Sequence, residues 1–374
     1  MKFEPTAEQL DIIAAARDTS YNLCISARAG AAKTTTLCMI AEALNQEMLC
    51  IAFNKSIVEE MSKRMPKKCT VKTMHSLGYA AWRNYLGRKT RIKVFNGKIV
   101  KLLKDYIAEA PEDEKTFLSS EFFDTLDFIN RAKINGYCPP EAPTNFVSLV
   151  APEHLETILE FEIPQIQKDA VNWVLRKSAE EALQGNIDFT DMIYCPALCQ
   201  VTFPRPKITL IDEAQDLSAL DHRLLKKIVG KRRIIAVGDE KQAIYAFRGA
   251  HTDSMSRLQN TFSMVEMKLT TNFRCATTII KSVNDFVPDI KARPDAPEGE
   301  VKTLPFWSTS DVPDNSAVIC RNNAPLIDMA FRFLHDGVPV EINNFGLEKT
   351  LYAVVDKLGK PKTDTRIAKD ALDA

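Results

Sequence analysis

Two carboxylates follow directly after a short apolar run in the middle of the chain. Ile208–Ile211 reads as a strand that is buried on both faces, and Asp212 and Glu213 come next. Open α/β sheets bind their ligands at the carboxyl ends of such strands. Asp212 there suits a ligand of Mg²⁺, and Glu213 suits the residue that orients or deprotonates a water attacking a phosphate. If this pair is considered alone, the better interpretation is that the two acidic residues cap the next helix.

A second half of such a site lies near the start of the chain, between a strand at 21–27 and a helix that carries Leu37 and Ile40. A strand, a small-residue loop, Lys-Thr and a helix form the context of a phosphate-binding loop. Backbone N–H groups would hold the phosphates, Lys33 would reach the β and γ phosphates, and Thr34 would bind Mg²⁺. The residues expected to bind ATP here are Ala27, Arg28, Ala29, Gly30, Ala31, Ala32, Lys33 and Thr34.

This loop departs from the pattern G-x-x-x-x-G-K-[ST] at both glycines. Ala27 takes the first place. Ala32 takes the place just before Lys33, where a Cβ can crowd a phosphate or strain the backbone. The loop by itself is therefore a weak match to a phosphate-binding loop, and the carboxylates Asp212 and Glu213 strengthen the prediction.

The elements that must position these residues alternate between strands and helices. A capped helix is predicted at 5–16, with Thr6 as N-cap and Gln9 three residues later, a pattern that a capping box alone would explain. Further strands are predicted at 47–53, 69–75, 187–193, 231–239 and 262–269. Such alternation is typical of a parallel sheet with right-handed crossovers. Residues 85–186 instead read as a helical insertion, with helices at 97–110, 116–134 and 153–184.

The composition leaves the type of partner open. The 374 residues carry 49 Lys and Arg and 49 Asp and Glu, and a local basic groove would be enough for nucleic acid. A segment at 82–93 mixes aromatic and basic residues; a solvated surface is its favoured interpretation and a nucleic-acid contact the second. The nine cysteines lack the spacing of a zinc site, and we expect buried, reduced thiols. We find no secretory signal and no apolar run long enough to span a bilayer, and expect a cytoplasmic protein.

The order of the motifs resembles superfamily 1 DNA helicases of the UvrD/Rep type, including F-box DNA helicases and their phage relatives. The most specific strings are D-E-A-Q-D at 212–216 and G-D-E-K-Q-A-I-Y-A-F-R-G-A at 238–250. Further matches to the motifs of that family occur in the same order as in the family: Gln9 and the segments 27–34, 52–61, 73–78 and 269–274.

The resemblance implies an ATP- and Mg²⁺-dependent helicase or translocase that acts on single-stranded DNA or at junctions of single- and double-stranded DNA. It implies that Asp212 and Thr34 bind the metal and that Glu213 is the base. It further implies that Gln242 and Arg274 contact the γ-phosphate, that Gln9 reads adenine and that Phe273 stacks on it. The residues that it implies for DNA binding are Phe53, Asn54, His75, Phe247 and Arg248.

The fold implied is α/β: a RecA-like P-loop NTPase sheet with a helical insertion, followed by a partial second RecA-like domain. The first domain would span 1–84 and 187–266, the insertion 85–186 and the second domain 267–374. In the second domain we predict strands at 300–304, 316–321 and 338–343. The cleft between the two domains would close on ATP and open after hydrolysis.

The late motifs of that family have no match after Arg321. We therefore expect a truncated or split helicase from a bacterial or phage-infected cell, whose partners include a C-terminal helicase portion or other replication and repair proteins. A nucleotide- and DNA-binding accessory remnant without turnover is the main alternative. A metabolic P-loop kinase is a third hypothesis, although no small-molecule acceptor site is indicated.

Overall fold

The structure is a computed structural model that describes residues 4–160, 162–243 and 253–341. The chain divides into two compact units after Val301. The predicted domain boundaries at 84, 186 and 266 are not tested by this division and stay predictions.

The larger unit contains the strands of the described residues. They are β1 Leu23–Ala27, β2 Met48–Ala52, β3 Cys69–Thr73, β4 Lys93–Val94, β5 Asn186–Ile187, β6 Ile208–Ile211, β7 Arg233–Gly238, β8 Val265–Leu269, β9 Thr271–Asn272 and β10 Lys291–Ala292. Six of them form one parallel sheet in the order β3-β2-β6-β7-β1-β8. Because the strands are parallel, the loops after β1, β6 and β7 lie at one edge, with β7 between the other two. The predicted parallel α/β sheet is confirmed.

Helices cover both faces of this sheet. Their bounds are α1 Ala7–Asp18, α2 Lys33–Leu44, α3 Lys55–Arg64, α4 Met74–Leu86, α5 Lys98–Glu109, α6 Glu112–Ser120, α7 Phe122–Ile134, α8 Leu155–Leu159, α9 Gln165–Leu183, α10 Asp191–Leu198, α11 Ala219–Val229, α12 Ser254–Phe262, α13 Thr277–Val283 and α14 Asn323–His335. Successive strand residues point to opposite faces, so Cys24 packs with α4, α10 and α11 while Ile25 packs with α1 and α2. The sheet is therefore buried on both sides, as its apolar strands predicted.

Helices α5 to α9 bury a third core of their own, around Leu103, Ile129 and Val174. Two predicted helices of this region are broken. The helix expected at 116–134 begins at Glu112 and is interrupted after Ser120. The helix expected at 153–184 is interrupted before Gln165, because Pro164 cannot donate an N–H inside a helix and Glu160 adopts a positive φ of 63°.

The predicted strand at 187–193 is wrong for most of its length. Asn186–Ile187 pairs with β4 in a separate two-stranded sheet, and α10 starts at Asp191. The backbone N–H of Asp188 donates to Asp191 Oδ2 at 2.9 Å, and that of Asp191 donates to Asp188 Oδ1 at 2.8 Å. This reciprocal pair closes a helical turn, which overrides the apolar pattern of the segment.

In the smaller unit, the described residues contain α14 and no strand. The strands predicted at 300–304, 316–321 and 338–341 are therefore wrong, and residues 342–343 lie outside the described part of the chain. Ile319 is 93% exposed, and no strand of the described residues pairs with its segment. A short apolar run becomes a strand only when another strand pairs with its backbone.

Candidate nucleotide-binding site

The loop between β1 and α2 has the backbone of a phosphate cradle. Gly30 and Ala32 adopt positive φ angles of 66° and 58°, and Ala32 is the N-cap residue of α2. Alternating left-handed residues before a helix N-terminus turn successive N–H groups toward one point, where an anion binds. Ala32 takes this conformation at a cost of roughly 1–2 kcal/mol that glycine would avoid.

Two short contacts bring the halves of the site together. Lys33 Nζ lies 2.7 Å from Glu213 Oε2, and Thr34 Oγ1 donates to Asp212 Oδ2 at 2.9 Å. Both pairs lie where β1 and β6 end at the same edge of the sheet. The lysine-threonine turn and the carboxylate pair therefore form one site, although 178 residues separate Thr34 from Asp212.

Burial raises the pKa of two carboxyl groups in this site, those of Asp212 and Asp216. Asp212 is 3% exposed, and this burial raises its pKa to about 6, with the neighbouring charge of Glu213 adding to the rise. Burial also raises the pKa of Asp216 to about 6, and Glu213 again contributes. The proximity of Glu213 to two other carboxylates makes the site favourable for a cation.

Gln215 links the ends of β6 and β7 and was missed from the sequence. Its Nε2 donates to Glu213 Oε2 at 2.8 Å, and its Oε1 accepts from the backbone N–H of Asp239 at 3.0 Å. Asp239 in turn accepts from Gln242 Nε2 at 2.8 Å. A chain of hydrogen bonds thus joins Lys33, through Glu213 and Gln215, to the turn that carries Gln242. The signal available in the sequence was the spacing D-E-x-Q, which places Gln215 beside the carboxylates.

The segment after β8 packs on the phosphate-binding loop. Asn272 Nδ2 donates to the carbonyl of Ala29 at 2.7 Å, and the N–H of Phe273 donates to the carbonyl of Gly30 at 2.9 Å. A Cβ on Gly30 would stand 2.5 Å from Asn272 Nδ2 and 3.2 Å from Arg274 Cβ. Phe273 and Arg274 therefore lie beside the loop.

Arg28 points away from the centre of the site. Its guanidinium makes two hydrogen bonds of 2.6 Å to the carboxylate of Asp289, a residue that the sequence analysis did not single out. This bidentate pair raises the pKa of Arg28 and lowers that of Asp289. Arg28 fastens the loop to the segment before β10, and Ala27 and Ala31 are buried beneath it.

Gln9 is fully buried, and both ends of its side-chain amide have partners. Its Oε1 accepts from the N–H of Thr6 at 3.0 Å, which completes a capping box at the start of α1. Its Nε2 donates to Thr36 Oγ1 at 3.0 Å. The structure therefore gives Gln9 a structural part between α1 and α2, and its contact with adenine stays a prediction.

Residues 6–263 match the family model of the UvrD/REP helicase N-terminal domain. The chain belongs to the UvrD/REP helicase family.

Its relatives include eukaryotic and bacterial proteins. F-box DNA helicase protein 1 of Schizosaccharomyces pombe is 25% identical over 378 residues, which cover 90% of this chain and 40% of that protein. A probable DNA helicase II homolog of Mycoplasma genitalium is 26% identical over 308 residues, 74% of this chain and 41% of that protein. ATP-dependent DNA helicase Rep of Escherichia coli is 32% identical over 108 residues, 26% of this chain and 16% of that protein. The chain thus spans less than half of the length of these relatives, and a phage origin stays a prediction.

Of the residues that the UvrD/REP resemblance assigns to DNA, Phe53, Asn54 and His75 lie beyond the ends of β2 and β3. Phe53 is 38% exposed, and the side chain of Asn54 accepts from the N–H of Ile57 at 2.9 Å as the cap of α3. His75 stacks on Phe189, with ring centroids 4.0 Å apart and an interplanar angle of 18°. Burial lowers the pKa of His75, so its ring is neutral at neutral pH. Phe247 and Arg248 lie outside the described residues.

Phe189 was missed because its segment was predicted as a strand. It is 53% exposed, and it lies in the turn between Asp188 and Asp191. Its stack with His75 makes an aromatic platform beside the first turn of α4, and a platform of this kind can hold a nucleic-acid base of any sequence.

The residues of the nucleotide site fit Mg²⁺. A hydroxyl from Thr34 and a carboxylate from Asp212 form a hard oxygen set, and Mg²⁺ is usually held by one or two protein oxygens together with phosphates and water. Among the described residues, no group of three or more His, Cys, Asp or Glu side chains could hold a metal. In that same part of the chain, no helix has both the length and the apolar character to cross a membrane.

Proposed function

We propose that this chain hydrolyses ATP with Mg²⁺ and couples hydrolysis to movement along single-stranded DNA, including junctions of single- and double-stranded DNA. The observation that carries the proposal is the pairing of Lys33 with Glu213 and of Thr34 with Asp212 at one edge of one sheet. Membership in the UvrD/REP helicase family and relatives named DNA helicases support DNA as the substrate.

In this mechanism the loop before α2 binds the phosphates through its backbone N–H groups, and Lys33 exchanges Glu213 for the β and γ phosphates. Glu213, released from the lysine, orients the attacking water and accepts its proton. Mg²⁺, held by Thr34 and Asp212, would supply positive charge to the phosphate oxygens. Water attacks the γ-phosphorus, the bond to the β-phosphate oxygen breaks, and ADP and phosphate leave.

The remaining residues would sense the nucleotide. Arg274, which is exposed beside Gly30, would contact the γ-phosphate, and Phe273 would stack on adenine. Gln242 would report the γ-phosphate to the DNA side through its link to Asp239. Gln9 could contact adenine only when its amide leaves Thr36.

On the DNA side, His75, Phe53 and Phe189 would stack on bases, and Asn54 would contact the strand from the start of α3. Base stacking does not depend on sequence, so a motor can step along any strand. The same role is proposed for Phe247 and Arg248. A C-terminal helicase portion or other replication and repair proteins are the proposed partners.

The deciding experiment is ATP hydrolysis with and without an oligo-dT strand. We expect hydrolysis that the strand stimulates, its loss in Lys33→Ala, and an increase in Ala32→Gly. The loss should be about 10²–10³-fold, the usual effect of removing one well-placed electrostatic group. Lys231→Ala, which changes an exposed lysine before β7 at the opposite edge of the sheet, is the matched control and should stay close to wild type.

A nucleotide- and DNA-binding accessory protein without turnover is the second candidate function. The strained backbone of Ala32 favours it, because a Cβ stands where the family pattern has glycine. Under this hypothesis the wild type and Ala32→Gly bind the nucleotide with Mg²⁺, and no variant hydrolyses it with or without DNA. Hydrolysis that oligo-dT stimulates in the wild-type chain, and that Lys33→Ala abolishes, would exclude the accessory function.

A further inference from the structure

The charge of the chain is distributed very unevenly. From Met61 to Lys104 the sequence contains no Asp or Glu, although the whole chain has zero net charge. The same 44 residues carry thirteen basic side chains: Lys63, Arg64, Lys67, Lys68, Lys72, Arg83, Arg88, Lys89, Arg91, Lys93, Lys98, Lys101 and Lys104. Such an excess produces a local positive potential even in a neutral protein.

Five of these cations form what we call the basic arm, residues 83–93. The side chains of Arg83, Arg88, Lys89, Arg91 and Lys93 are all exposed. Within the described residues, none of the five lies within 4.0 Å of a carboxylate. By contrast, Arg64 and Lys101 of the same stretch pair with Glu60 and Asp105. The arm thus presents cations that intramolecular ion pairs do not neutralise.

The backbone of the arm is held in place. Thr90 Oγ1 donates to the carbonyl of Leu86 at 3.1 Å, and the N–H of Lys93 donates to the carbonyl of Gly185 at 2.8 Å. A Cβ on Gly185 would stand 2.6 Å from the carbonyl oxygen of Arg91, so this glycine permits the close crossing. A fixed backbone keeps the charges in one place and lowers the entropy lost on binding.

The arm adjoins the aromatic platform of His75 and Phe189. It begins on α4, the helix that carries His75 in its first turn. It ends at β4, which pairs with β5, and the N–H of Phe95 donates to the carbonyl of Ile187 at 2.8 Å. Ile187 is two residues before Phe189, and Phe95 is 56% exposed. A polynucleotide whose base rests on the platform therefore has its backbone near the arm.

We propose that the basic arm binds backbone phosphates of the nucleic acid that passes the His75–Phe189 platform, without reading its sequence. The proposal rests on the proposed DNA-binding function and extends its binding surface beyond the residues of the family motifs. Exposed, unpaired Arg and Lys side chains bind phosphates by charge and by hydrogen bonds, with release of counterions. The phosphates belong either to the single strand itself or to an adjoining duplex.

The test is the salt dependence of DNA affinity. The variant Arg88→Gln/Lys89→Gln/Arg91→Gln is compared with wild type on labelled oligo-dT and on a hairpin with a single-stranded tail. Each lost phosphate contact lowers the slope of log affinity against log salt by about 0.7 on a single strand and about 0.9 on a duplex. If the arm contacts the single strand, we expect the slope to fall by about 2 on oligo-dT. If the arm contacts duplex, we expect the slope to fall by about 3 on the hairpin and to stay unchanged on oligo-dT.

The matched control is Arg205→Gln/Lys231→Gln/Arg232→Gln. These three cations are exposed as well, but they precede β6 and β7 at the opposite edge of the sheet. A slope that falls equally in both triple variants, or in neither, overturns the arm as a binding surface. If the wild-type protein binds neither DNA, the proposed function is overturned as well. If the wild-type protein binds DNA, and Phe189→Ala weakens this binding while the arm variant leaves it unchanged, only the proposal for the arm is overturned.

Discussion

At the scale of single residues, the nucleotide site combines strain with charge. Ala32 and Glu213 both adopt left-handed backbones, with φ of 58° and 52°, although neither is glycine. Strained residues of this kind persist where the surrounding structure holds them, and they cluster at functional sites. Glu213 is held by Lys33 and Gln215, whereas Ala32 makes no side-chain hydrogen bond at the start of α2.

Replacing Ala32 with glycine should therefore stabilise the protein. We expect the free energy of unfolding to rise by roughly 1 kcal/mol, since the relief of strain exceeds the added entropy of the unfolded chain. Urea unfolding measures it. Ala31→Gly is the matched control, because Ala31 is buried in the same loop without a positive φ and should lose roughly 1 kcal/mol instead. A decrease in both variants would show that Ala32 is not strained.

The pairing of Thr34 with Asp212 could be predicted from sequence, because parallel strands deliver their carboxyl ends to one edge whatever their order. The parts played by Gln9 and Gln215 could not be predicted in the same way. Each depends on which neighbour its amide meets, and that follows from the packing of α1 on α2 and from the pairing of β6 with β7.

At the scale of elements, the turn before α10 is built on a buried group of charges. Lys98 from α5 donates to Asp191 Oδ2 at 2.8 Å, and Lys133 from α7 lies 2.6 Å from Asp188 Oδ2 and 2.7 Å from Asp191 Oδ1. Lys133 is fully buried, yet its carboxylate neighbours raise its pKa to about 12, against the effect of burial. Helices α5 and α7 thus fix the turn that carries Phe189.

Asp191→Asn should destabilise this turn strongly. Two buried lysines would then share the single charge of Asp188, and breaking a buried pair typically costs about 3–5 kcal/mol. Asp105→Asn, which breaks the exposed pair with Lys101, is the control and should cost under about 1 kcal/mol. Chemical unfolding compares the two; equal losses would mean that the buried group does not hold α5, α7 and α10 together.

This turn also marks the limit of what the pattern of the sequence could predict. The run I-D-F-T-D-M-I has the apolar alternation of a strand, and the strand prediction failed because its two aspartates find lysines from distant helices. Strands β2 and β6 of the main sheet were predicted correctly since their residues are buried on both faces and need no such partners.

In the larger unit, the candidate nucleotide site lies at one edge of the sheet, and three residues proposed to contact DNA, Phe53, Asn54 and His75, follow β2 and β3 at the same edge. The larger unit contains the loop, the carboxylates and the segment with Arg274. The three strands predicted after residue 299 failed, because nothing in the order of residues shows whether a pairing partner exists. Family membership, by contrast, followed from motif order, which does not depend on those strands.

The proposed hydrolysis depends on Thr34 and Asp212 holding one Mg²⁺ in one nucleotide pocket. A double-mutant cycle on the affinity of a fluorescent ATP analogue with Mg²⁺, using Thr34→Ala, Asp212→Asn and the double variant, tests this arrangement. We predict that each single variant weakens binding of the analogue. The double variant should lose no more binding free energy than the weaker-binding single variant, which corresponds to a coupling free energy of about 1 kcal/mol or more. Losses that simply add, or the absence of any loss, would contradict a shared magnesium site.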